Sequence, residues 1–259
     1  MISAYYSVIN NTSRTLKWIF ILIIPFVWGC NPYSHVTRYD RTINFSGIEW
    51  MVKTASEPVG PGPNWFNDAP DNVWVDSVGN LHLRIRRNND QWTCAEVVTK
   101  EYFGYGKYYF QVISQLDELD PSIVLGLFTW SDRGAHNKEI DVEFSRWGDP
   151  KARYNAQYVI QPAYVRGNCY RFPIRQEGAY TTHQFSWYPG FINFYSFHGH
   201  VFNNDQDVTP IKFWVYPKRL GRPRKVHIRI NLWLNNGLAP TNEDEVEVII
   251  RKFRYEPID

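Results

Sequence analysis

The stretch Lys-Glu-Ile-Asp-Val-Glu-Phe at residues 138–144 decides the fold of this chain. Successive side chains on a β-strand point to opposite faces of the sheet, so this alternation predicts a strand with two chemically different faces. One face carries the carboxyl groups of Glu139, Asp141 and Glu143. The other face is apolar and belongs in a core, so we expect the carboxylates on the open face of a sheet that is buried on one side.

Short runs rich in Val, Ile, Phe, Tyr and Trp continue on both sides of this stretch, separated by Gly and Pro turn signals. The predicted strands are residues 73–75, 81–85, 105–113, 123–129, 140–144, 156–160, 191–197, 226–233 and 246–255. No stretch of about twelve residues or more combines a helical apolar stripe with a preceding cap, which argues against long helices. We predict an all-β chain folded as a two-sheet antiparallel β-sandwich, or jelly roll.

The composition fits one globular domain and argues against a nucleic-acid partner. The chain has 259 residues, of which 44% are apolar. Its 28 Lys and Arg nearly balance its 26 Asp and Glu, so the broad basic face that a phosphate backbone requires is not expected. The 11 Trp and 17 Tyr stand out. Flat amphipathic rings serve both apolar cores and sugar-binding clefts, so this bias alone favours neither.

The N-terminal segment predicts export. Basic residues precede an apolar run at residues 18–28, which is shorter than the roughly 20 residues of a membrane-spanning helix. We therefore predict a signal peptide over residues 1–29, cleaved before Cys30. A cysteine at this position resembles the lipobox of bacterial lipoproteins and predicts a lipid-anchored cell-envelope protein, with secretion and an unmodified Cys30 as the alternative. Residues 30–44 are expected to form a tether and residues 45–259 the folded domain.

Two cysteines, Cys94 and Cys169, remain after Cys30. In an oxidising compartment they can form a disulfide, but the sequence does not show that they are close, so both possibilities stay open. His198 and His200 lack a further ligand at metal-binding spacing. We therefore predict no metal site from the sequence.

Three carboxylates in a row on one sheet face need a chemical reason. Like charges this close raise each other's pKa, and a structural strand normally intersperses other side chains. Two Glu four positions apart have Cα atoms about 13 Å apart, and leaning over a shorter Asp brings their carboxyls to roughly 5–6 Å. A retaining glycosidase needs about 5–5.5 Å between its nucleophile and its acid/base. The alternative is a solvated strand face paired with basic residues.

At this motif the chain resembles glycoside hydrolase family 16, whose members are β-jelly-roll retaining endoglycosidases. The sequence has the E-x-D-x-E form of the family motif, without a bulge, as in lichenases and xyloglucan transglycosylases. Neighbouring blocks follow in the family order: Phe-Gly-Tyr-Gly at 103–106, Leu-Gly-Leu-Phe-Thr-Trp at 125–130, Thr-His-Gln-Phe-Ser-Trp at 182–187 and Ile-Asn-Leu-Trp at 230–233. The resemblance covers roughly residues 45–257 and implies a concanavalin-like catalytic domain.

The resemblance also implies roles for individual residues. Glu139 is the expected nucleophile, Glu143 the general acid/base, and Asp141 the carboxylate that hydrogen-bonds Glu139 and tunes its ionisation. The substrate-binding residues that it implies are Glu96, Phe128, Trp130, Asn231 and Trp233. Alternation along the strand agrees for the last two, because it places Asn231 and Trp233 on the face opposite Ile230 and Leu232.

Other candidate sugar contacts come from spacing, and one feature departs from the family. Asn155 and Gln157 share a strand face, where they are expected either to bind sugar hydroxyls or to be sheet-surface amides. Lichenases carry a Trp two residues before the nucleophile, and this chain has Asn137 there. Trp130 or Trp147 is expected to replace that platform, and lichenase-type specificity is not predicted.

Together these features predict a secreted or membrane-anchored retaining endo-β-glycosidase that hydrolyses a polysaccharide such as a β-glucan by double displacement. The alternatives are a catalytically silent carbohydrate-binding sandwich and a transglycosylase that uses the same site. We expect a polysaccharide as the partner, no nucleic acid, membrane contact through a lipid anchor alone, and a monomer. No cofactor is expected. Calcium is a common structural ion in this family, but the spacing locates no calcium site.

Overall fold

The computed structural model describes residues 36–132, 138–202, 209–223 and 225–258. The predicted signal peptide, Cys30 and Asn137 lie outside these residues. Within the described part of the chain, no helix has the length and apolar character needed to cross a membrane.

The described residues form sixteen β-strands and two short 3-10 helices. The strands are β1 Thr37–Phe45, β2 Ile48–Ala55, β3 Trp65–Phe66, β4 Val73–Val75, β5 Leu81–Asn88, β6 Gln91–Thr99, β7 Gly106–Ile113, β8 Ile123–Ser131, β9 Ile140–Phe144, β10 Ala156–Ile160, β11 Cys169–Phe172, β12 Tyr180–Trp187, β13 Ile192–His198, β14 Lys212–Tyr216, β15 Val226–Leu234 and β16 Val246–Pro257. The 3-10 helices span Leu116–Glu118 and Asn235–Gly237. The predicted all-β class is therefore confirmed.

The strands form two layers joined by the β5–β6 hairpin. The first layer has the order β11-β10-β9-β8-β15-β6-β2-β1, and the second has the order β4-β5-β16-β7-β12-β13-β14. All of these neighbours are antiparallel, and the short β3 adds a parallel pairing to β6. This arrangement places the carboxylate strand β9 inside the first layer, between β8 and β10.

The core lies between the two layers and is rich in aromatic rings. Tyr158 on β10 is fully buried, and its hydroxyl lies 2.7 Å from Ser196 Oγ on β13. The ring centroids of Phe144 on β9 and His183 on β12 are 4.5 Å apart. Ile140, Val142 and Phe144 all belong to this core, so the alternation predicted for 138–144 is confirmed.

The structure corrects the domain boundary that the sequence predicted at residue 45. Strand β1 begins at Thr37, inside the predicted tether of residues 30–44, and pairs with β2 along its length. Its side chains alternate between half-buried and exposed, and only Phe45 is fully buried. Because this edge strand is polar, it lacks the apolar run by which nine of the other strands were recognised.

Cys94 and Cys169 do not form a disulfide. The Cys94 thiol points into the core and donates to Asn64 Oδ1 at 3.3 Å. The Cys169 thiol lies beside Gln157 Oε1, at 3.5 Å. The two side chains therefore face different surroundings, and the possibility of a disulfide that the sequence left open is excluded.

Candidate active site

The register of the first layer builds a row of functional side chains across six strands. Each member lies directly opposite the next on a neighbouring strand, so all of them share the face that points away from the core. Read from β11 to β6, the row is Arg171, Gln157, Glu143, Gly126, Asn231 and Glu96. Residues far apart in the sequence therefore meet on one surface.

A cleft of about 390 Å³ lies on this surface, over strands β2, β6, β15, β8 and β9. It brings together eight of the ten site residues that the sequence predicted, namely Glu96, Phe128, Trp130, Glu139, Asp141, Glu143, Asn231 and Trp233. Lys53 and Arg229, which the sequence analysis did not assign, also line it. The cleft thus runs across the strands, with the carboxylate strand at one side.

Gly126 keeps the floor of the cleft open. It lies between Glu143 on β9 and Asn231 on β15. A Cβ atom at this position would come 2.5 Å from Asn231 Oδ1, which is shorter than real contacts allow. A larger residue here would displace the Asn231 side chain.

Of the three carboxyl groups, Asp141 is buried and Glu139 and Glu143 are half-buried beside it. Burial and the neighbouring charge of Glu143 raise the pKa of Glu139 to about 8. Burial, together with the charges of Glu139 and Glu143, also raises the pKa of Asp141 well above its usual range. Burial raises the pKa of Glu143 as well, although a hydrogen bond from Gln157 and the charge of Arg171 oppose this shift. The three carboxyls therefore bind protons more tightly than free carboxyls, as is typical of a site for acid/base chemistry.

Gln157 orients the Glu143 carboxylate from the next strand. Its Nε2 donates to Glu143 Oε2 at 2.7 Å. Its Oε1 accepts a hydrogen bond from Arg171 Nε at 3.1 Å, which fixes the amide in this orientation. The predicted site residue Gln157 thus lies beside Glu143 and outside the residues that line the main cleft.

Two further side chains hold the other carboxylates, and sequence reasoning missed both. Gln161 donates from Nε2 to Asp141 Oδ2 at 3.1 Å and from its backbone N to Glu139 O at 3.1 Å. The buried Thr129 hydroxyl donates to Lys138 O at 2.7 Å and accepts from Ile140 N at 2.9 Å, so it fixes the chain on both sides of Glu139. Residues an even number of positions apart on a strand share a face, so counting four positions on from Gln157 would have indicated Gln161.

Glu96 occupies the cleft floor as the centre of an ion-pair network. It is 1% exposed and accepts from Lys53 Nζ at 3.1 Å, Arg229 Nη1 at 2.7 Å and Asn231 Nδ2 at 3.4 Å. Burial alone would raise the pKa of Glu96, but the charges of Lys53 and Arg229 lower it overall. Both of its oxygens are therefore engaged by protein groups. Its main structural effect is to hold Arg229 and Asn231 in place.

Arg229 links this network to the carboxylate ladder. Its guanidinium carbon lies 5.3 Å from the ring centroid of Trp130, a cation–π contact. Its positive charge also lowers the pKa of Glu139 against the larger effect of burial. The alternation of β15 placed Arg229 on the same face as Asn231, but a single Arg gave no sign of its partners.

Aromatic rings lie on both sides of the ladder. Phe128 is directly opposite Asp141. Half-buried Trp130 and Trp233 line the cleft, and the Trp233 ring meets Trp147 edge to face with centroids 6.0 Å apart. Trp147 has a φ of 54°, an uncommon conformation for a bulky residue that is often found at functional sites. Trp233 thus lies on the face that strand alternation predicted, where it lines the cleft.

Asn155, predicted either to bind sugar with Gln157 or to be a sheet-surface amide, does not line the cleft. Its Nδ2 donates to Ile174 O at 3.2 Å, and its Oδ1 accepts from Ile174 N at 2.7 Å. Both polar groups of the side chain are thus used to fix the backbone after β11. Asn155 precedes the start of β10, so strand alternation did not apply to it.

The jelly-roll layers and the transverse cleft define the class of fold, which is that of the β-glucanases and laminarinases. The chain is similar to a Bacillus licheniformis β-glucanase, with a TM-score of 0.60 and 18% identity over 85% of this chain and 96% of that one. The laminarinase from Rhodothermus marinus matches with a TM-score of 0.61 and 14% identity over 85% and 95%.

A third similar structure is an immunostimulatory antigen and pseudo-β-1,3-glucanase of Mycobacterium tuberculosis. Its TM-score is 0.61, with 16% identity over 81% of this chain and 91% of that one. The sequence matches no protein-family model and no curated protein. At these identities the likeness establishes the fold, and the resemblance to the glycoside hydrolase family 16 jelly roll is confirmed at that level.

Proposed function

We propose that this protein is a retaining endo-β-glycosidase that hydrolyses a polysaccharide. The observation that carries the proposal is the grouping of Glu139, Asp141 and Glu143 in one open cleft that Phe128, Trp130 and Trp233 also line. Three adjacent carboxylates repel one another and cost stability, and such a costly cluster with raised pKa values in a cleft is typical of a functional site. Because the cleft is open and crosses the strands, a polysaccharide chain can lie along it. This shape favours cleavage within the polymer over cleavage at its end.

In the proposed first step, Glu139 attacks the anomeric carbon and forms a glycosyl-enzyme ester. Glu143 donates its proton to the leaving glycosidic oxygen. This step requires an ionised Glu139 and a protonated Glu143. Burial raises the pKa of both groups, and the positive charge of Arg229 lowers that of Glu139, which favours the form in which Glu143 holds the proton. These opposite requirements are why two neighbouring carboxyls need different surroundings.

In the second step, Glu143 removes a proton from water, which attacks the same carbon and releases the sugar with its configuration retained. The ester removes the negative charge of Glu139. The repulsion between the two carboxyls then falls, so the pKa of Glu143 drops and Glu143 acts as a base. Gln157 and Arg171 support this ionised form by hydrogen bonding and charge.

A non-catalytic carbohydrate-binding role is the second candidate, and the similarity to a pseudo-β-1,3-glucanase favours it. The deciding experiment is a screen of the purified protein on laminarin, mixed-linkage glucan, xyloglucan, agarose and carrageenan, with new reducing ends measured. Binding without new reducing ends on any polymer would support the silent module and reject the hydrolase. Added acceptor sugars distinguish transfer from hydrolysis by the products formed, and the anomeric configuration of the first product tests retention.

We also propose that the protein is exported and anchored through Cys30. The proposal rests on the basic and apolar pattern before that residue. Cys30→Ala should release the protein from the membrane fraction if the cysteine carries lipid. Unchanged partitioning of this variant would reject the anchor and leave secretion.

A further inference from the structure

The carboxylate strand separates two halves of the surface that differ in charge. Beyond Glu143, over β10 and β11, a second pocket of about 290 Å³ adjoins the cleft through Gln157. Its walls include Arg146, Arg153 and Arg171, together with Trp147. A third pocket of about 310 Å³ shares Arg146 and Arg153 with it and adds further cations, Lys151 and Arg175.

These cations differ from those of the catalytic half in forming no ion pair among the described residues, although the charge of Arg171 acts on Glu143 at longer range. In the catalytic cleft, Lys53 and Arg229 both pair with the buried Glu96. Elsewhere, arginines such as Arg84 and Arg254 pair with carboxylates on their own strand or the next. Within the described residues, no ion pair involves the five cations beyond Glu143.

Two acidic residues, Asp149 and Asp117, also line these pockets, and both accept hydrogen bonds from within the chain. Asp149 Oδ1 accepts from Lys151 N at 2.8 Å, which closes a turn. Asp117 accepts from Gln115 Nε2 at 2.9 Å and from Gln176 N at 3.0 Å. These two carboxylates offset two of the five positive charges, so the described residues that line the two pockets keep a formal excess of three positive charges.

The shape of the region suits a ligand that continues from the cleft. Adjacent strands are about 4.8 Å apart, so the backbone of Arg171 on β11 lies about 10 Å from the backbone of Glu143 on β9, two strands away. That distance is within reach of a sugar next to the cleaved bond. Arg146 donates from Nη2 to Asp117 O at 2.9 Å, which orients its planar guanidinium, and the Arg153 guanidinium lies over the Tyr154 ring at 5.5 Å.

We propose that this region is a subsite for an anionic group, a carboxylate or a sulfate ester, on the substrate chain beyond Glu143. The inference rests on the proposed function in taking a polysaccharide as the ligand, and it adds that the polysaccharide is acidic. Arginine is suited to this role because its planar fork donates two parallel hydrogen bonds to carboxylate or sulfate oxygens. A neutral glucan offers no group that would compensate these cations.

The test uses affinity electrophoresis at 0.15 M NaCl, where exposed charges are screened beyond about 8 Å. The protein carries Glu139→Gln, so that the polymer in the gel stays intact. Two pairs of polymers are compared, each with one neutral and one anionic member. Laminarin is paired with carboxymethyl-laminarin, which carries carboxylates, and agarose is paired with κ-carrageenan, which carries sulfate esters. The test variant is Lys151→Gln with Arg153→Gln, and the control is Lys218→Gln with Arg219→Gln, an equally exposed Lys and Arg outside both pockets.

We expect stronger retardation by the anionic member of at least one pair. The test variant should lose at least about tenfold in affinity for that polymer, the scale of one charge-assisted hydrogen bond, and the control should not. Equal losses in both variants would show nonspecific attraction and overturn the proposal, as would full retention in the test variant or no preference for either anionic polymer. Because this readout is binding, a failure to find hydrolysis would reject the proposed function separately.

Discussion

Gln157 lies directly opposite Glu143 on the neighbouring strand, and its Nε2 donates a 2.7 Å hydrogen bond to Glu143 Oε2. A donor at this position favours the ionised carboxylate and sets the direction in which the other oxygen points. Arg171 holds the same amide from the far side. The geometry of the proposed acid/base therefore depends on a strand that comes later in the sequence.

Gln157→Leu should consequently raise the apparent pKa of Glu143 and lower turnover by about tenfold, part of what a positioned acid/base contributes. The basic limb of the pH profile of kcat/KM should move to higher pH, because Glu143 then keeps its proton longer. Gln91→Leu, an exposed change of the same kind on β6, is the control. An unshifted basic limb would show that Gln157 has only a packing role.

Glu139→Gln and Glu143→Gln should each reduce turnover by at least about 100-fold, as expected for a lost nucleophile or acid/base. Asp141→Asn should lose less activity than Glu139→Gln. Thermal unfolding checks that all three variants are folded, and the exposed Glu101→Gln provides a matched control. Full activity in either of the first two variants, on a polymer that the wild type cleaves, would contradict the assignment.

Arg229→Met should raise the pKa of Glu139, because it removes the positive charge that opposes burial. The acid limb of kcat/KM should then move to higher pH. This change removes one of the cations that pair with the buried Glu96 and leaves its charge less compensated. The double variant Glu96→Gln with Arg229→Met removes both charges, so it tests the same effect on Glu139 without that cost to folding. Arg229→Lys keeps the charge and should keep the acid limb near that of the wild type. Equal profiles in all variants would exclude an electrostatic role.

The stability of the protein should depend on Glu139 in a definite direction. Its pKa is about 8 in the folded state and about 4.5 when unfolded, so the folded state holds the proton more tightly between these values. This contribution to stability is complete below pH 4.5 and is lost as the pH rises to about 8. Glu139→Gln should therefore raise the melting temperature relative to wild type more at pH 8.5 than at pH 5. Glu101→Gln, at an exposed position, is the matched control for the loss of one carboxyl group.

Trp233→Ala should leave the melting temperature within a few degrees of the wild type, because the ring lies in the cleft wall. Catalytic efficiency should fall by about 1–3 kcal/mol of lost stacking and positioning. Trp50→Ala is the contrasting variant, since Trp50 is fully buried and its loss is expected to cost about 3–5 kcal/mol of stability. A collapse of the melting temperature in Trp233→Ala with normal activity per folded molecule would assign Trp233 to the core.

The sequence was sufficient where a property depends on one strand alone. Alternation determines which side chains share a face, so the ladder of Glu139, Asp141 and Glu143, its apolar reverse side and the outward position of Trp233 were all predictable. The apolar runs likewise predicted nine strands and the all-β class. Polar strands such as β1 gave no such run, and the predicted boundary at residue 45 was too late.

Tertiary structure decided everything that depends on register between distant strands. Glu96, Lys53 and Arg229 come from three strands, and each looked like an isolated charge until the pairing of β2, β6 and β15 brought them together. The pairing of β9 with β10 likewise places Gln157 within hydrogen-bond distance of Glu143, and the bend after β10 does the same for Gln161 and Asp141. The physical reason is that side-chain direction is local, whereas the neighbour across a sheet is chosen by the packing of the whole chain.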